Sequence, residues 1–308
     1  MILFAAFFPP DRIFGGVRTI YRQVEALNRN GVEAAVLNPL GHPTWFKSEV
    51  PVIRSGGLSF EVRDAIVFPE AFTVGDPITR QLLQMRASRH VFCQSYLYAL
   101  NGIISERTPQ SLGITSAYAC SSTVARFLRE VFGFADVPVV PCMVDTTVFR
   151  PGLKTPSIAY MPRRLPETAE LIRKVFLRRH PSLSSVPWRP INGRTEEETA
   201  EILSTSAVFL SLSHQEGFGL PPLEAMASGC VVVGFHGGGG REYATASNGL
   251  WTDPDDIVAT ADALALAVKG FEAGNSLTLG LIENGRVTAT SYSQERMERA
   301  LLQYFRKP

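Results

Sequence analysis

Apolar residues run unbroken from Ile2 to Phe7 and return, after a turn-rich stretch from Pro9 to Gly16, with a different period: Val17, Ile20, Val24 and Leu27 recur every three or four positions. The first pattern predicts a strand buried on both faces, the second a helix with one apolar stripe. Gly31 closes that helix, and Val32 to Leu37 predicts a second strand. A strand, a helix and a strand in so short a span imply parallel pairing through a right-handed crossover.

The alternation continues. Ala65 to Phe68, His90 to Cys93, Ser116 to Cys120 and Val137 to Val140 predict strands, and Ile78 to Met85 and Thr123 to Val131 predict helices. Pro151, Gly152 and Pro156 interrupt the pattern, and Ser157 to Met161 starts a second series. That series contains helices at Glu167 to Arg179, Glu196 to Ser204 and Pro221 to Ala227, with strands at Trp188 to Asn192, Ala207 to Leu212 and Cys230 to Phe235. Ser291 with Gln294 three residues on matches a capping box, and Met297, Leu301 and Phe305 give the last helix one apolar stripe. The predicted fold is α/β with two doubly wound, Rossmann-like domains, 1–152 and 153–290, and a helix 291–308 that packs back on the first.

Composition changes this picture little and excludes some partners. A net charge of +1 lacks the basic footprint that neutralising a nucleic-acid backbone requires. Local basic pairs at Arg163-Arg164, Arg173-Lys174 and Arg178-Arg179 suit a diphosphate or an anionic membrane surface, although the last two pairs read equally as a solvated helix face. Cys93, Cys120, Cys142 and Cys230 show neither disulfide nor zinc spacing and read as small hydrophobes. The opening apolar run has no basic flank and ends at Pro9-Pro10, so it reads as a strand and not as a signal peptide or span. A cytoplasmic protein is expected, with peripheral contact at the inner membrane left open.

The chemistry concentrates after the strand Ala207 to Leu212, in Glu216-Gly-Phe-Gly-Leu-Pro-Pro-Leu-Glu224-Ala-Met-Ala-Ser-Gly229. Pro221 or Pro222 suits the first turn of a helix and Gly229 suits its end, so the helix is short and its N-terminus sits in the loop. Such an N-terminus at the carboxyl edge of a parallel sheet favours phosphate, and Gly217 and Gly219 admit close approach. Glu216 and Glu224 flank it with carboxylates, which accept hydrogen bonds from hydroxyls and so suit sugar and ribose.

That stretch resembles the Glu, seven residues, Glu motif of the family-4 retaining glycosyltransferases. Three other stretches resemble the family more loosely: Gly15-Gly16 after the first strand, Val139 to Pro151, and Tyr160-Met-Pro-Arg163. The resemblance implies a GT-B fold, two facing domains with a cleft, and a nucleotide-diphosphate sugar held mainly by the second. It implies that Glu216 lies at the donor sugar, that Gly217, Phe218 and Gly219 contact sugar and phosphate through their backbone, and that Glu224 binds the ribose. Arg163 then neutralises the leaving diphosphate, aided by the helix end at Leu220. Where the family has a lysine after that arginine, this chain has Leu165-Pro-Glu-Thr-Ala, which leaves two alternatives, Arg164 as the substitute or a weaker phosphate site; where the family has a histidine in the first domain, Gln94 is the acceptor-side counterpart by context. Transfer of a hexose to a glycan or lipid-linked acceptor in bacterial surface-polysaccharide assembly follows by resemblance, with no cofactor and no divalent metal.

Other features weigh less. His214 reads as a loop histidine and not as an acid or base. Gly237 to Gly240 suits a phosphate nest or a flexible turn equally. Asp253-Pro-Asp255 superficially resembles a metal clamp but sits ahead of a helix, where Asp255 or Asp256 is better explained as the N-cap. Gly15-Gly16 lacks the full dinucleotide fingerprint, which disfavours a nicotinamide-dependent reductase and leaves close approach to the donor or a tight turn. Two alternatives remain open: a non-catalytic sugar-nucleotide-binding or scaffold protein, and a phosphorylase or epimerase on the same fold.

Overall fold

A computed structural model describes residues 1–54 and 64–306; residues 307–308 of the expected last helix lie outside it. The chain divides into two compact units, Met1–Met143 with Gln294–Pro308, and Val144–Ser293.

The first unit runs β1 (Ile2–Ala5), α1 (Gly15–Arg29), β2 (Ala34–Leu37), β3 (Val52–Ile53), β4 (Ala65–Pro69), α2 (Pro77–Leu82), β5 (Ser88–Cys93), α3 (Tyr96–Ala99), α4 (Ile103–Glu106), β6 (Ile114–Ala119) and α5 (Ser122–Phe132). Its strands pair in the order β3-β2-β1-β4-β5-β6, all parallel. Leu3, Phe4, Val36, Ile66, Phe68, Val91 and Phe92 are buried, as continuous apolar strands require when both faces are covered. The order reverses between β1 and β4, and in open α/β sheets such a switch point opens a crevice at the carboxyl ends of the strands.

The second unit runs β7 (Thr155–Tyr160), α6 (Pro166–Arg179), β8 (Trp188–Pro190), α7 (Glu196–Thr205), β9 (Ser206–Glu216), α8 (Leu220–Ala227), β10 (Val231–Gly238), β11 (Leu250–Trp251), α9 (Ile257–Glu272) and α10 (Ser276–Ser291). Its parallel order is β11-β10-β9-β7-β8, with the reversal between β7 and β9. Ile172 and Phe176 of α6 and Leu264 and Val268 of α9 pack on Val208, Leu210, Val231 and Val233 of the sheet. The backbone N–H of Val144 donates to the carbonyl of Tyr292 at 2.9 Å, so the two ends of this unit lie side by side.

Three sequence expectations change. Val137 to Val140 is no strand: Val139 makes a single bridge to Ala119, because Pro138 and Pro141 lack the N–H groups a ladder needs. Ser291 does not cap the last helix; it is the final residue of α10 and its hydroxyl donates to the carbonyl of Thr288. The last helix, α11 (Gln294–Phe305), begins three residues later. The strand expected to end at Leu212 continues to Glu216.

α11 belongs to the first unit. Its Tyr304 ring lies 4.6 Å from that of Tyr118, its Phe305 lies edge-on to Phe4, and Glu298 pairs with Arg29 of α1. The Tyr304 hydroxyl also meets Nδ1 of His90 at 2.7 Å, while Nε2 of His90 meets the Ser88 hydroxyl at 3.0 Å. Burial holds the His90 imidazole down at about 4 from its ordinary 6.5. Between those values the unfolded chain binds a proton that the folded chain refuses, so stability falls as pH drops through this window and gains nothing further above it. His90→Gln cannot protonate, so relative to wild type it is expected to remove about 3 kcal/mol of acid destabilisation between pH 6.5 and 4. Urea unfolding of both proteins across that range measures it, and parallel curves would count against the assignment.

Among the described residues, no helix is long and apolar enough to cross a membrane.

Candidate functional site

The second unit gathers the conspicuous residues at the carboxyl ends of β7 and β9, the two strands that flank its switch point. Ser213 of β9 pairs with His236 of β10, but Glu216 pairs with Gly238, so β9 carries one extra residue and bulges at His214–Gln215. Gln215 has φ of 49°, the left-handed region, and among the described residues it is the one non-glycine there. This costs on the order of 1 kcal/mol or more and is retained only where the surroundings enforce it. Its effect is to re-aim Glu216.

Glu216 is half-buried, and its Oε1 lies 3.1 Å from Nε of Arg164. Arg164 also donates to the carbonyl of His214 at 3.4 Å. Burial pushes the Glu216 carboxyl up, and the cationic fields of Arg164, Arg163 and His214 pull it back down. Arg163 is exposed beside this pair. His214 is exposed too and lies in β9 instead of a loop.

The loop after Glu216 is held from behind. Phe218 is buried with its ring 5.3 Å from Tyr292 and 5.8 Å from Tyr243, so its side chain anchors the loop from within. Tyr243 donates its hydroxyl to the carbonyl of Gly219 at 2.5 Å, and Gly219 (φ of 89°) turns the chain into α8. Leu220, Pro221 and Pro222 form the first turn of α8, so prolines remove two of the four amide donors a helix start normally offers and leave those of Gly219 and Leu220. An anion at this helix end would meet two amide donors and the neighbouring arginines.

Glu224 is the fifth residue of α8, in its second turn and not its first as its spacing from the prolines suggests. It is 4 % exposed, far less open than Glu216.

The glycine run is built into the strand end and the turn after it. β10 extends through Gly238, and the main chain at Gly239 lies directly on the loop: a Cβ there would meet the carbonyl carbon of Gly217 at 2.3 Å and the nitrogen of Phe218 at 2.5 Å. Asp256 caps α9, its Oδ1 accepting from the N–H of Ala259 at 2.8 Å, and Asp253 accepts from the N–H of Asp255 within the preceding turn. Among the described residues, no group of three or more His, Cys, Asp or Glu side chains is disposed to hold a metal ion.

In the first unit, Gly15 and Gly16 open α1 and are not part of the loop. A Cβ at Gly15 would meet nothing, whereas one at Gly16 would meet the Gln94 amide at 3.0 Å, and that amide donates to the carbonyl of Gly16 at 3.0 Å. Gly16 and Gln94 are thus brought together, after β1 and β5. Sequence reasoning missed Glu70, directly after β4 and 3 % exposed, and Tyr243. An acid closing an apolar strand was the available signal for Glu70; nothing local marked Tyr243.

Residues 191–286 match the family model described as glycosyl transferases group 1. A curated relative, an alpha-1,6-glucosyltransferase of Actinobacillus pleuropneumoniae serotype 7 (strain AP76), is 27 % identical over 274 residues, 85 % of this chain and 81 % of its own. The solved structure of sucrose-phosphate synthase from Thermosynechococcus elongatus superposes with a TM-score of 0.70 over 99 % of this chain and 98 % of its own, at 16 % identity. The catalytic domain of starch synthase IV from Arabidopsis thaliana, bound to ADP and acarbose, superposes with a TM-score of 0.65 over 99 % of each chain at 13 % identity. Two parallel-sheet α/β units with these neighbours make the fold GT-B.

Proposed function

We propose that this chain, a glycosyltransferase of group 1 type, is a retaining enzyme that moves a hexose from a nucleotide-diphosphate sugar to a glycan or lipid-linked acceptor. The observation that carries the reading is Glu216, held half-buried by a strained bulge at the switch point of the second sheet, next to Arg164 and the start of α8. Transfer develops negative charge on the departing diphosphate, which fixed cations and amide donors stabilise. Arg163, Arg164 and the N–H groups of Gly219 and Leu220 supply these, and Arg164 also pairs with Glu216. Glu216 accepts hydrogen bonds from the donor sugar, the backbone of Gly217, Phe218 and Gly219 lines sugar and phosphate, and Glu224 takes the ribose.

The acceptor hydroxyl attacks from the face the diphosphate leaves, so configuration is retained and no protein nucleophile is needed. Gly15 and Gly16 approach the donor, and Gln94 stands on the acceptor side. The cationic work falls to arginines, and we assign no role to a divalent ion. The motif of family-4 enzymes at Glu216 and Glu224 and the glucosyltransferase named among the relatives support this reading. A role in bacterial surface-polysaccharide assembly, on the cytoplasmic side with peripheral contact at the inner membrane, is part of the same proposal.

A melting-temperature screen with UDP-glucose, ADP-glucose and GDP-mannose tests donor binding, since a ligand at roughly a hundred times its Kd adds about 2.7 kcal/mol to the native state. The binding donor, incubated with isomaltose or water in chelator, is expected to release free nucleotide diphosphate and give a product of unchanged anomeric configuration. Binding without release would favour a non-catalytic protein; inversion, or turnover abolished by the chelator, would refute retention or metal independence.

A further inference from the structure

The first sheet has its own switch point, between β1 and β4, and Glu70 is the residue that follows β4 there. Its side chain is buried, the residue being 3 % exposed, and its backbone carbonyl is covered by the main chain of Gly102, where no Cβ would fit. Burying a carboxylate is costly unless hydrogen bonds compensate. Compensation comes from backbone N–H groups, its own and those of Gln94 and Ser95.

The same two residues are gripped on their carbonyl side. The Cys120 thiol donates to the carbonyl of Gln94 at 3.5 Å, and the Cys93 thiol to that of Ser95 at 3.7 Å. Cys142 stands behind Cys120 and accepts from the Thr19 hydroxyl of α1. A carboxyl and buried thiols thus clamp one dipeptide from both sides, and the side chain it carries outward is Gln94, bonded to Gly16 in the first turn of α1.

We propose that Glu70 is a positioning residue: through the backbone N–H groups of Gln94 and Ser95 it fixes the Gln94 amide against Gly16, and this hold changes when Glu70 takes up a proton. The functional weight of this rests on reading the first unit as the acceptor side; the clamp itself does not. As a carboxylate, Glu70 offers two acceptor oxygens to the N–H groups; as a carboxylic acid it turns one oxygen into a hydroxyl and loosens the hold. Burial pushes its carboxyl up to about 7, with the N–H groups opposing, so the change falls in the neutral range. The titratable groups that face it are thiols, Cys93 at the end of β5, pushed up by burial, and Cys120 after β6, pushed up by its hydrogen bond with Cys142 and by burial, so both are neutral there. Among the described residues, no lysine, arginine or histidine is paired with it.

The test is an amide NMR titration of the full chain from pH 5.5 to 8.5, without substrate. The backbone amides of Gln94 and Ser95 and the side-chain amide of Gln94 are expected to move together with one midpoint near 7, and to lose that movement in Glu70→Gln, which keeps the shape and removes the proton. Resonances that stay flat in wild type, or titrate alike in Glu70→Gln, overturn the proposal. Should Glu70→Gln fail to fold, Glu70→Asp, with a shorter reach, is expected to displace the midpoint, and an unmoved midpoint overturns it equally. In the transfer assay with UDP-glucose, wild-type turnover is expected to follow the same midpoint and Glu70→Gln to flatten the profile; identical profiles reject the positioning role and leave sugar transfer standing. No turnover in wild type would sink the transfer reading while the titration stood.

Discussion

Glu216→Gln and Arg163→Ala are each expected to lower nucleotide-sugar turnover by on the order of a hundredfold or more, about 2.7 kcal/mol of transition-state stabilisation, with little change in melting temperature. The two substitutions act on different charges. Arg163 is exposed, so truncating it removes little packing and tests the charge proposed for the diphosphate. Glu216 is half-buried and paired with Arg164, and glutamine keeps its shape while discarding the charge that Arg164 and Arg163 favour. Steady-state kinetics with the donor found by the melting screen decides the matter. Wild-type rates in both variants would refute the assigned roles, and a loss confined to KM would move Glu216 from catalysis to ground-state binding.

Gly239→Ala is expected to destabilise the protein by about 2–3 kcal/mol, lowering the melting temperature by roughly 5–10 °C. A Cβ at that position would stand 2.3–2.5 Å from the main chain of Gly217 and Phe218, backbone that cannot swing aside as a side chain can. The loop must move, and with it the groups after Glu216, so turnover is expected to fall too. Gly280→Ala is the contrasting substitution: it lies in α10 with nothing within 4 Å of the added methyl, and it is expected to stabilise by up to about 1 kcal/mol. Differential scanning calorimetry of the pair separates a contact at Gly239 from any general effect of losing a glycine. Equal melting temperatures for the two variants would refute the contact.

Why the motif was readable while its support was not has a physical explanation. Pro221, Pro222 and Gly229 signal a helix start and stop locally, and the apolar run before them signals a buried strand, so α8 and β9 were legible to within a few residues. The bulge was not, because Gln215 carries a side chain and nothing in the sequence marks it for left-handed backbone. The contact between Gly239 and Gly217 joins the segments that follow two different strands, and no pattern along one chain records that. Glu70 reads from sequence only as an acid closing an apolar strand; the pairing order of the strands is what puts it at a switch point. α10 escaped notice because its buried positions Thr278, Leu281, Gly285 and Ala289 are mostly small or polar, while Leu277, Leu279 and Val287 face outward.

The hydrogen bond from Val144 to Tyr292 makes the whole stretch between them a loop whose mouth is already closed. The entropy of closing a loop grows only with the logarithm of its length, about 0.6 kcal/mol for each doubling. Insertions or deletions in the inserted half therefore burden the host half very little, provided the mouth keeps its shape. A chain wired this way can change in one half while the other keeps its way of folding.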